Sequence, residues 1–405
     1  MSNWKNIFAI IWTGQLFSTL SSAIVGYAVV FWLSMETKSA EVLALATIAA
    51  LLPQLLLGPF TGVLIDRWDR RQTMIIADIF IAVCSAIMGV LFLKGNVEVE
   101  YIYVLLVLRS VGSAFHVPAM QASVPLLAPE SELMRIAGIN QTIQSVSTIA
   151  GPALAALLIS ALNMTYVLFF DVIGALIACI TLLMVHIPNP EKKDDAPAPH
   201  LFREMKEGLH EIYSRLGLLW LFVFIILATF FIMPIAALFP LMTINHFSGG
   251  TYQMSMIEVA WGVGMLVGGA MMGIKKLKIN EIVLINASYI LLGLTFAFTG
   301  ILPVTGFWVF IALTFLGGIS MSVYSAAFMV VMQTTIDPAA LGRVFSIYGS
   351  ISLLPSMIGL LQTGFIADQI GVPNAFVISG VAIVLLGLSS FFVPAIRQMI
   401  IRTKT

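Results

Sequence analysis

The chain has 405 residues, of which 60% are hydrophobic and 10% are charged, and its 20 basic and 20 acidic side chains leave no net charge at pH 7. In soluble globular domains about a quarter of the residues are charged and about half are apolar. This composition excludes a soluble globular protein and indicates an integral membrane protein.

Long apolar segments follow one another along the whole chain. A hydrocarbon core about 30 Å thick requires roughly 20 apolar residues per helical crossing. The segments are continuous runs, unlike the short alternating strands of a membrane barrel. We predict an all-α integral membrane protein with twelve transmembrane helices in two halves of six. The predicted spans cover residues 7–33, 42–65, 73–93, 101–127, 136–160, 164–185, 218–246, 256–274, 282–301, 306–332, 344–366 and 375–396.

Lysine and arginine fall almost entirely on one side of these spans. With twelve spans, 17 of the 20 basic residues lie on the side of the two termini, two lie on the opposite side, and Arg109 lies inside a span. Because cytoplasmic loops retain Lys and Arg, both termini are predicted to be cytoplasmic. The loops on the outer side are only a few residues long, which leaves no room for an external receptor or catalytic domain.

A charged hairpin separates the second and third predicted spans. It reads Gly62-Val-Leu-Ile-Asp66-Arg67-Trp-Asp-Arg70-Arg71 and sets five charges between two apolar segments. A carboxylate where a helix meets a loop can cap a helix or pair with an arginine, so we interpret the hairpin as a latch that holds one of two domain arrangements. The alternative is a plain basic anchor, which leaves Asp66 and Asp69 unexplained. The predicted latch residues are Gly62, Asp66, Arg67, Arg70 and Arg71.

Ionisable side chains inside the spans are functional candidates by default, because a charge in lipid is costly. Arg109 and Asp171 each lie about eight residues, or roughly 12 Å, from the outer ends of the fourth and sixth spans. At this shared depth they can neutralise each other, either as a permanent structural pair or as a pair that a proton or substrate splits. The predicted proton-coupling residues are Asp171, Arg109, Glu258, His116 and Asp78.

The other three of these residues have competing interpretations. Glu258 stands a short way into the eighth span, where a solvated interfacial carboxylate is favoured. Asp78, near the inner end of the third span, can belong to the charged hairpin. His116 can relay protons, although a histidine in a membrane helix is more often packed and hydrogen-bonded.

Polar residues recur at helical spacing on the first and fifth spans. A polar face among spans usually lies against water or a partner helix, and aromatic residues of the second half are available for an opposite wall. We predict an apolar, aromatic and sparsely polar substrate cavity, although aromatic residues in membrane helices usually only pack. The predicted cavity residues are Gln15, Ser18, Thr19, Ser22, Gln141, Gln144, Phe230, Phe231, Trp261, Tyr324 and Phe328.

One loop, longer than the others, divides the chain into six spans and six. It opens with a proline-rich polar stretch, typical of a stiff linker. Its residues 201–216 have an apolar and a charged face at helical spacing, as in a helix that lies on the membrane surface. The predicted organisation is an N-terminal six-helix bundle at 1–187, a cytoplasmic linker with this amphipathic helix at 188–217, and a C-terminal six-helix bundle at 218–405.

Three motifs resemble those of the major facilitator superfamily. The hairpin from Gly62 to Arg71 is similar to its signature between helices two and three, Gly-x-Leu-x-Asp-Arg-x-Gly-Arg-Arg, with Asp69 in place of the second Gly. The segment Arg109-Ser-Val-Gly112 resembles a shortened form of the Arg-x-x-x-Gly motif of proton-coupled members. The fifth span resembles the glycine-rich motif of exporters, with small residues throughout: Gly138, Ser147, Gly151, Pro152, Ala155 and Ala156.

The chain as a whole resembles the bacterial macrolide-efflux branch of the drug exporters in this superfamily. The resemblance implies a major facilitator fold and a secondary active transporter that exports amphipathic drugs, macrolide-like or diverse, by proton antiport with alternating access. It also implies a bacterial plasma membrane location. We expect a small amphipathic substrate, protons and the lipid bilayer as partners, a monomeric chain and no nucleic acid. Two alternatives remain: a proton-coupled symporter of a small metabolite, and a non-transporting membrane sensor or scaffold.

The sequence contains no motif for catalysis, nucleotide binding or metal binding. It has no Gly-x-x-x-x-Gly-Lys-[Ser/Thr] loop for ATP, no His-Glu-x-x-His sequence and no Cys and His cluster at metal-ligand spacing. Cys84 and Cys179 lie within predicted spans, where packing is favoured over a disulfide. We therefore expect no enzyme activity, no cofactor and no metal site.

Overall fold

The helices of the protein follow the predicted spans in order, and most of them begin a few residues before the predicted start. A computed structural model describes residues 4–65, 68–95, 97–127, 133–185, 187, 209–210, 212–274, 279–336 and 341–402. The helices are α1 (Trp4–Thr37), α2 (Ala40–Ile65), α3 (Arg70–Lys94), α4 (Val99–Leu127), α5 (Leu133–Ala161), α6 (Met164–Leu183), α7 (Leu216–Ala237), α8 (Thr251–Ile274), α9 (Glu281–Ile301), α10 (Phe307–Thr335), α11 (Leu341–Ile370), α12 (Val372–Ser390) and α13 (Pro394–Arg402). A short turn, Phe239–Leu241, and a π-helical segment, Met242–His246, follow α7.

The prediction of an all-α membrane protein with twelve helices in two halves of six is confirmed. In the described part of the chain, eleven helices are long and apolar enough to cross a membrane. The remaining predicted span, at 344–366, lies within α11, a helix of 30 residues. Most helices begin before the predicted span because hydropathy marks only the part in hydrocarbon, whereas a helix can continue into the interface. Three helices end before the predicted span does: α6 at Leu183, α7 at Ala237 and α12 at Ser390.

Two residues determine where α3 begins and ends. The Asp69 carboxylate accepts a hydrogen bond from the Gln72 N–H at 2.8 Å, as an N-cap side chain does. At the other end Gly95 has a φ of 72°, the left-handed conformation that closes a helix and favours glycine. The residue that departs from the superfamily signature, Asp69, therefore has a local role, because it starts α3.

Internal contacts divide the chain into two compact units. The first consists of Met1–Thr37 and Leu45–Asp195, and the second of Lys38–Ala44 and Ala196–Thr405. The amphipathic helix predicted at 201–216 lies mostly outside the described residues. The predicted organisation into 1–187, 188–217 and 218–405 stays a prediction.

The first turn of α2 belongs to the second unit because Asp368 of α11 caps it. The Asp368 carboxylate accepts hydrogen bonds from the backbone N–H groups of Ala40 at 2.7 Å and Glu41 at 3.1 Å. The Ser39 hydroxyl donates a third, at 2.7 Å. The first N–H groups of a helix have no partner within it, and a carboxylate there also meets the positive end of the helix dipole. This capping contact explains why Lys38–Ala44 does not group with the rest of the predicted N-terminal half.

In the first unit α1 packs on α5 and α6, and α3 packs on α4 and α6. The contact between α1 and α6 is close at two glycines. A Cβ added to Gly14 would lie 2.0 Å from the Thr181 hydroxyl oxygen, and one added to Gly174 would lie 2.0 Å from the Ser21 hydroxyl oxygen. Small residues of this kind let membrane helices approach closely. They bring the serines of α1 against the interior of the unit.

In the second unit α9 packs on α10 and α12, α8 packs on α10, and α7 packs on α11. Aromatic rings fill much of the space between these helices, in two clusters. The phenylalanine cluster consists of Phe239, Trp261, Phe296, Phe310 and Phe376. The tyrosine cluster consists of Phe222, Tyr289, Tyr324, Phe328 and Tyr348. Such ring contacts add geometric preference to the burial of large apolar surfaces.

Candidate functional site

A buried polar site between α1, α3, α4 and α6 is centred on Asp171. The Asp171 side chain is 2% exposed and forms an ion pair with Nη1 of Arg109. Ser85 donates a hydrogen bond to its Oδ2 at 2.6 Å, and Ser22 donates one to its Oδ1 at 2.6 Å. Ser21 makes a longer contact with Oδ1, at 3.5 Å. Asp171 and Arg109 therefore neutralise each other, and hydroxyl groups bond the remaining carboxylate positions, as a buried ion pair requires.

Protonation of Asp171 would remove one of the two charges of the Arg109–Asp171 pair. The sequence predicts that these two residues neutralise each other, and the structure brings them together. A carboxyl group that has taken up a proton no longer attracts a guanidinium, so protonation of Asp171 leaves Arg109 charged and unpaired among membrane helices. Because an unpaired buried charge is strongly unfavourable, the two protonation states favour different surroundings for Arg109.

A second buried carboxylate, Asp78 of α3, lies in the same unit. Its Oδ1 accepts a hydrogen bond from the Ser18 hydroxyl of α1 at 3.1 Å and lies 3.4 Å from Nε2 of His116 on α4. Its Oδ2 has no hydrogen-bond partner among the described residues. Asp78 thus lies beside a histidine inside the bundle, whereas the sequence left open that it belongs to the charged hairpin. A carboxylate beside an imidazole can exchange a proton between oxygen and nitrogen.

Ser21 and Ser85 are not among the predicted site residues, although their spacing contains a signal. Ser85 follows Asp78 by seven residues, two turns along the same face of α3, and Ser21 follows Ser18 by three. A serine in a membrane helix often bonds only to its own backbone, as Ser34 does with the Val30 carbonyl at 2.7 Å. Residue type and spacing alone therefore do not distinguish a serine that binds a carboxylate from one that does not.

The arginines at the start of α3 bind two other helices. Nη1 of Arg70 donates to the Ala122 carbonyl, in the last turns of α4, at 2.5 Å. Nη2 of Arg71 donates to the Leu183 carbonyl at 2.9 Å. Leu183 is the last residue of α6, so its carbonyl has no partner within the helix and lies at the negative end of the helix dipole. The two arginines therefore hold α3, α4 and α6 together at one end of the first unit.

The latch itself stays a prediction. Asp66 and Arg67, at the centre of the hairpin, lie outside the described residues, and Gly62 lies within α2. Arg70 and Arg71 have the carbonyl partners just given, all within the first unit.

The small residues of the exporter-like motif lie where α5 meets α1. A Cβ added to Gly151 would come within 3.2 Å of the Ala23 Cβ. Pro152 lies inside α5, which continues on both sides of it. Five motif residues are buried, namely Ser147, Gly151, Pro152, Ala155 and Ala156, and Gly138 also lies in α5. The motif allows close helix packing, and its role in antiport stays a prediction.

The predicted cavity residues of the first unit have different surroundings. Ser18 and Ser22 donate to the two buried carboxylates. Gln15 is fully buried, and its amide has no hydrogen-bond partner among the described residues. The other positions are half-buried Thr19, exposed Gln144, and Gln141, of which only the place in α5 is described.

An apolar groove runs between α1 and α5. Its cavity has a volume of about 400 Å³. At its wall the Trp12 Nε1–H donates to the Asn140 Oδ1 at 2.5 Å. The lining side chains are mostly aromatic or aliphatic and include Trp4, Phe8, Trp12, Leu16, Ile139 and Ile143. None of the predicted cavity residues lines this groove, and the location of the substrate cavity stays a prediction.

The predicted cavity residues of the second unit lie in aromatic contacts. Tyr324 and Phe328 are buried in the tyrosine cluster, and Trp261 belongs to the phenylalanine cluster. Phe230 and Phe231 contact each other, with ring centroids 5.0 Å apart. A substrate role for these residues stays a prediction.

Glu258 lies apart from the network of the first unit. It stands seven residues after the start of α8, roughly 10 Å along the helix, and is half-buried. It forms no hydrogen bond or ion pair with another described residue. The structure therefore adds no partner to its predicted role in proton coupling.

Known proteins resemble this chain over nearly its whole length. A family model described as transmembrane secretion effector matches residues 3–400. Macrolide efflux protein A of Streptococcus pyogenes is 38% identical over 398 residues, which are 98% of each chain. A protein of the same name from Enterococcus faecalis is 39% identical over 322 residues, 80% of this chain and 99% of its own. A solved structure of a mutant of the nucleoside transporter NupG is similar in fold, with a TM-score of 0.73 at 12% identity over 96% of this chain and 99% of that chain.

Proposed function

The chain belongs to the transmembrane secretion effector family of the major facilitator superfamily, and on this basis we propose that it exports amphipathic drugs, macrolide-like or diverse, by proton antiport with alternating access. Members of this superfamily are transporters and not enzymes. The names of the relatives support drug efflux, because macrolide efflux proteins align with nearly the whole chain. The observation that carries the proton step is the buried ion pair of Arg109 and Asp171.

In this proposal the proton binds at Asp171. The ionised carboxylate keeps Arg109, Ser85 and Ser22 around it. The protonated carboxyl releases Arg109, which must find another partner or reach water, because an unpaired buried charge is unfavourable. The two protonation states therefore stabilise different arrangements of α4 and α6, as a proton-driven conformational change requires. Asp78 with His116 is a second proton-binding position, and Glu258 is a third, on α8.

The substrate binds in this proposal beside α1 and α5. A volume of about 400 Å³ falls within the range of roughly 300–1,000 Å³ that drug-sized pockets have. The groove offers large apolar surfaces, which favour an amphipathic compound over a sugar. Gln15 and Asn140 supply amide groups on the same helices. The substrate role predicted for five aromatic residues of the second unit is part of the same proposal: Phe230, Phe231, Trp261, Tyr324 and Phe328.

The remaining parts of the proposal concern conformation and location. The hairpin from Gly62 to Arg71 serves as a latch during alternating access, and the small residues from Gly151 to Ala156 allow α5 to move against α1. The chain is a monomer in the bacterial plasma membrane with both termini in the cytoplasm. The strong excess of basic residues on the side of the termini supports this orientation.

The proposal is tested by measuring efflux of a fluorescent amphipathic compound from cells that contain the chain, with and without an uncoupler. We expect wild-type efflux to stop with the uncoupler, and Asp171→Asn and Arg109→Ala to lower it by about tenfold or more, because each leaves a buried group without its charged partner. Glu36→Gln is the matched control, since Glu36 is an exposed acid at the end of α1.

Three results count against the proposal. Uncoupler-insensitive efflux by the wild type excludes proton antiport. Normal proton-driven efflux by both variants excludes the assignment of Arg109 and Asp171. Uncoupler-sensitive accumulation of the compound, instead of its loss, favours a symporter.

A further inference from the structure

We infer that α1 couples the two buried carboxylates to the apolar groove beside α5. Serines of this helix bond to the carboxylates, and residues of its N-terminal half line the groove. The inference rests on the proposed function, because it assigns the element through which proton binding changes the substrate site. It is tested by binding and labelling measurements and not by transport, so that the inference and the proposed function can fail independently.

Serines of α1 bond to carboxylates on two different helices. The Ser18 hydroxyl donates to Asp78 of α3 at 3.1 Å, and the Ser22 hydroxyl donates to Asp171 of α6 at 2.6 Å. Between them Ser21 donates to the Ser18 carbonyl at 3.0 Å and lies 3.5 Å from Asp171. Within little more than one helical turn, α1 is therefore tied to both proton-binding positions of the first unit.

The strength of these ties depends on the charge of the carboxylates. A hydrogen bond to an ionised carboxylate is roughly twice as strong as one between neutral groups. A protonated carboxyl also carries a donor of its own and must point it at an acceptor. Each proton taken up by Asp78 or Asp171 therefore loosens the attachment of α1 to α3 or α6.

Other polar and ionisable side chains lie beside the two carboxylates, and protonation of a carboxyl changes their surroundings. Around Asp171 they are Arg109, Ser85 and the Cys84 thiol. Around Asp78 they are His116 and the Cys179 thiol. His116 is the one basic side chain at the Asp78 site in the described residues, and in its charged form it favours the ionised carboxylate to which Ser18 donates.

Helices α1 and α6 are in close contact at the serines, so the serines cannot shift unless α1 shifts with them. Gly174 of α6 lies against Ser21 so closely that a Cβ at this glycine would be 2.0 Å from the serine oxygen. A change in the hydrogen bonds here is therefore taken up by a shift or rotation of α1 as a rigid element.

The same helix forms one wall of the groove. Phe8, Trp12 and Leu16 line it, and the rings of Phe8 and Trp12 are stacked with centroids 4.0 Å apart. Trp12 precedes Ser18 by six residues, roughly 9 Å along the helix axis. A rotation of α1 at the serines therefore changes the shape of the groove and the Trp12 contact with Asn140.

The inference is tested by the pH dependence of binding. The dissociation constant of a fluorescent amphipathic compound is measured for the purified full chain in lipid nanodiscs at acidic and at alkaline pH. We expect the wild type to show a change of about tenfold or more, since two charge-assisted hydrogen bonds respond to pH. In Ser18→Ala/Ser21→Ala/Ser22→Ala we expect this pH dependence to fall to about twofold or less, with an affinity near that of the wild type at acidic pH, because α1 then lacks these hydrogen bonds at every pH.

Two variants show whether the effect belongs to these hydroxyls. Ser34→Ala removes another buried hydroxyl of α1, one that bonds to its own helix at the Val30 carbonyl, and should keep the wild-type pH dependence. Ser18→Thr/Ser22→Thr retains both hydroxyls and should keep most of it. These comparisons exclude a general loss of folding as the cause.

A second readout follows α1 itself. Thr13 is an exposed residue of α1 at the groove, so the reaction rate of Thr13→Cys with a maleimide, in a chain with Cys84 and Cys179 replaced by alanine, reports the position of the helix. We expect this rate to depend on pH in the otherwise wild-type chain and not in the triple serine variant.

The inference is overturned if the wild type binds the compound and labels at Thr13→Cys independently of pH, or if the triple variant keeps the wild-type pH dependence in both. Failure of the proposed antiport looks different, because efflux is then insensitive to the uncoupler whatever the pH dependence of binding and labelling.

Discussion

Arg109 and Asp171 show how charged residues become acceptable inside a membrane helix bundle. Each is nearly enclosed, and each charge is met by the other and by hydroxyl groups of α1 and α3. An ion pair that only stabilises the fold and one that takes part in proton coupling have the same geometry while the carboxylate is ionised. They differ in what happens when both charges are removed together, because only the second pair then loses a function.

Removal of one charge should cost more stability than removal of both. Breaking a buried pair from one side costs about 3–5 kcal/mol, whereas replacing both partners by apolar residues of similar volume is often neutral or stabilising. We expect Arg109→Met and Asp171→Leu to lower the thermal unfolding midpoint of the purified protein, and the double variant to recover most of the loss.

Proton-driven efflux should not recover in that double variant, since no group remains at Asp171 to take up the proton. A double variant that is as unstable as the single ones contradicts the pairing. A stable double variant that still performs uncoupler-sensitive efflux contradicts the coupling role.

The contacts of the site residues depend on how the helices pack, which residue types alone do not show. The Arg109–Asp171 pair could be predicted from the sequence because two charges of opposite sign share a depth. The contact between Asp78 and His116 could not be predicted, because the depth of a residue in the membrane does not show which neighbouring helix its side chain faces. The sequence places Ser18 and Ser22 on a polar face of α1 but does not show that they bond to carboxylates, and their place in a substrate cavity stays a prediction.

Gly174 offers a test at the scale of the helix pair. A Cβ there would lie 2.0 Å from the Ser21 hydroxyl oxygen and 2.9 Å from the Phe17 carbonyl oxygen, so Gly174→Ala must displace α1. We expect it to destabilise the protein by about 1–3 kcal/mol, as overpacking does, and to reduce proton-driven efflux.

The control for this change lies on α1 itself. Gly26→Ala places a methyl group where no atom lies within 4 Å, and an alanine favours a helix by about 0.5–1 kcal/mol over a glycine. We expect it to keep the stability and the efflux of the wild type. Equal effects of the two substitutions on the unfolding midpoint and on efflux would show that the close contact at Gly174 has no special role.

For the whole molecule, the number and order of the helices could be predicted from the sequence, whereas some contacts between residues far apart in the chain could not. Apolar length and the distribution of basic residues determine the number and order of the membrane helices. Nothing in those patterns shows that Asp368 caps α2, because the bonded residues stand 328 positions apart in the chain. The same limit applies to the aromatic clusters of the second unit, whose members are common residues in any membrane helix.

The central claim is that drug movement is driven by protons that bind at Asp171. Its most direct test uses the purified chain in proteoliposomes with an imposed pH gradient, acid inside, and measures uptake of a macrolide against its own concentration gradient. We predict accumulation by the wild type that ends when the pH gradient is collapsed, and no accumulation by Asp171→Asn. Accumulation that persists without the gradient, or that Asp171→Asn matches, would contradict the claim.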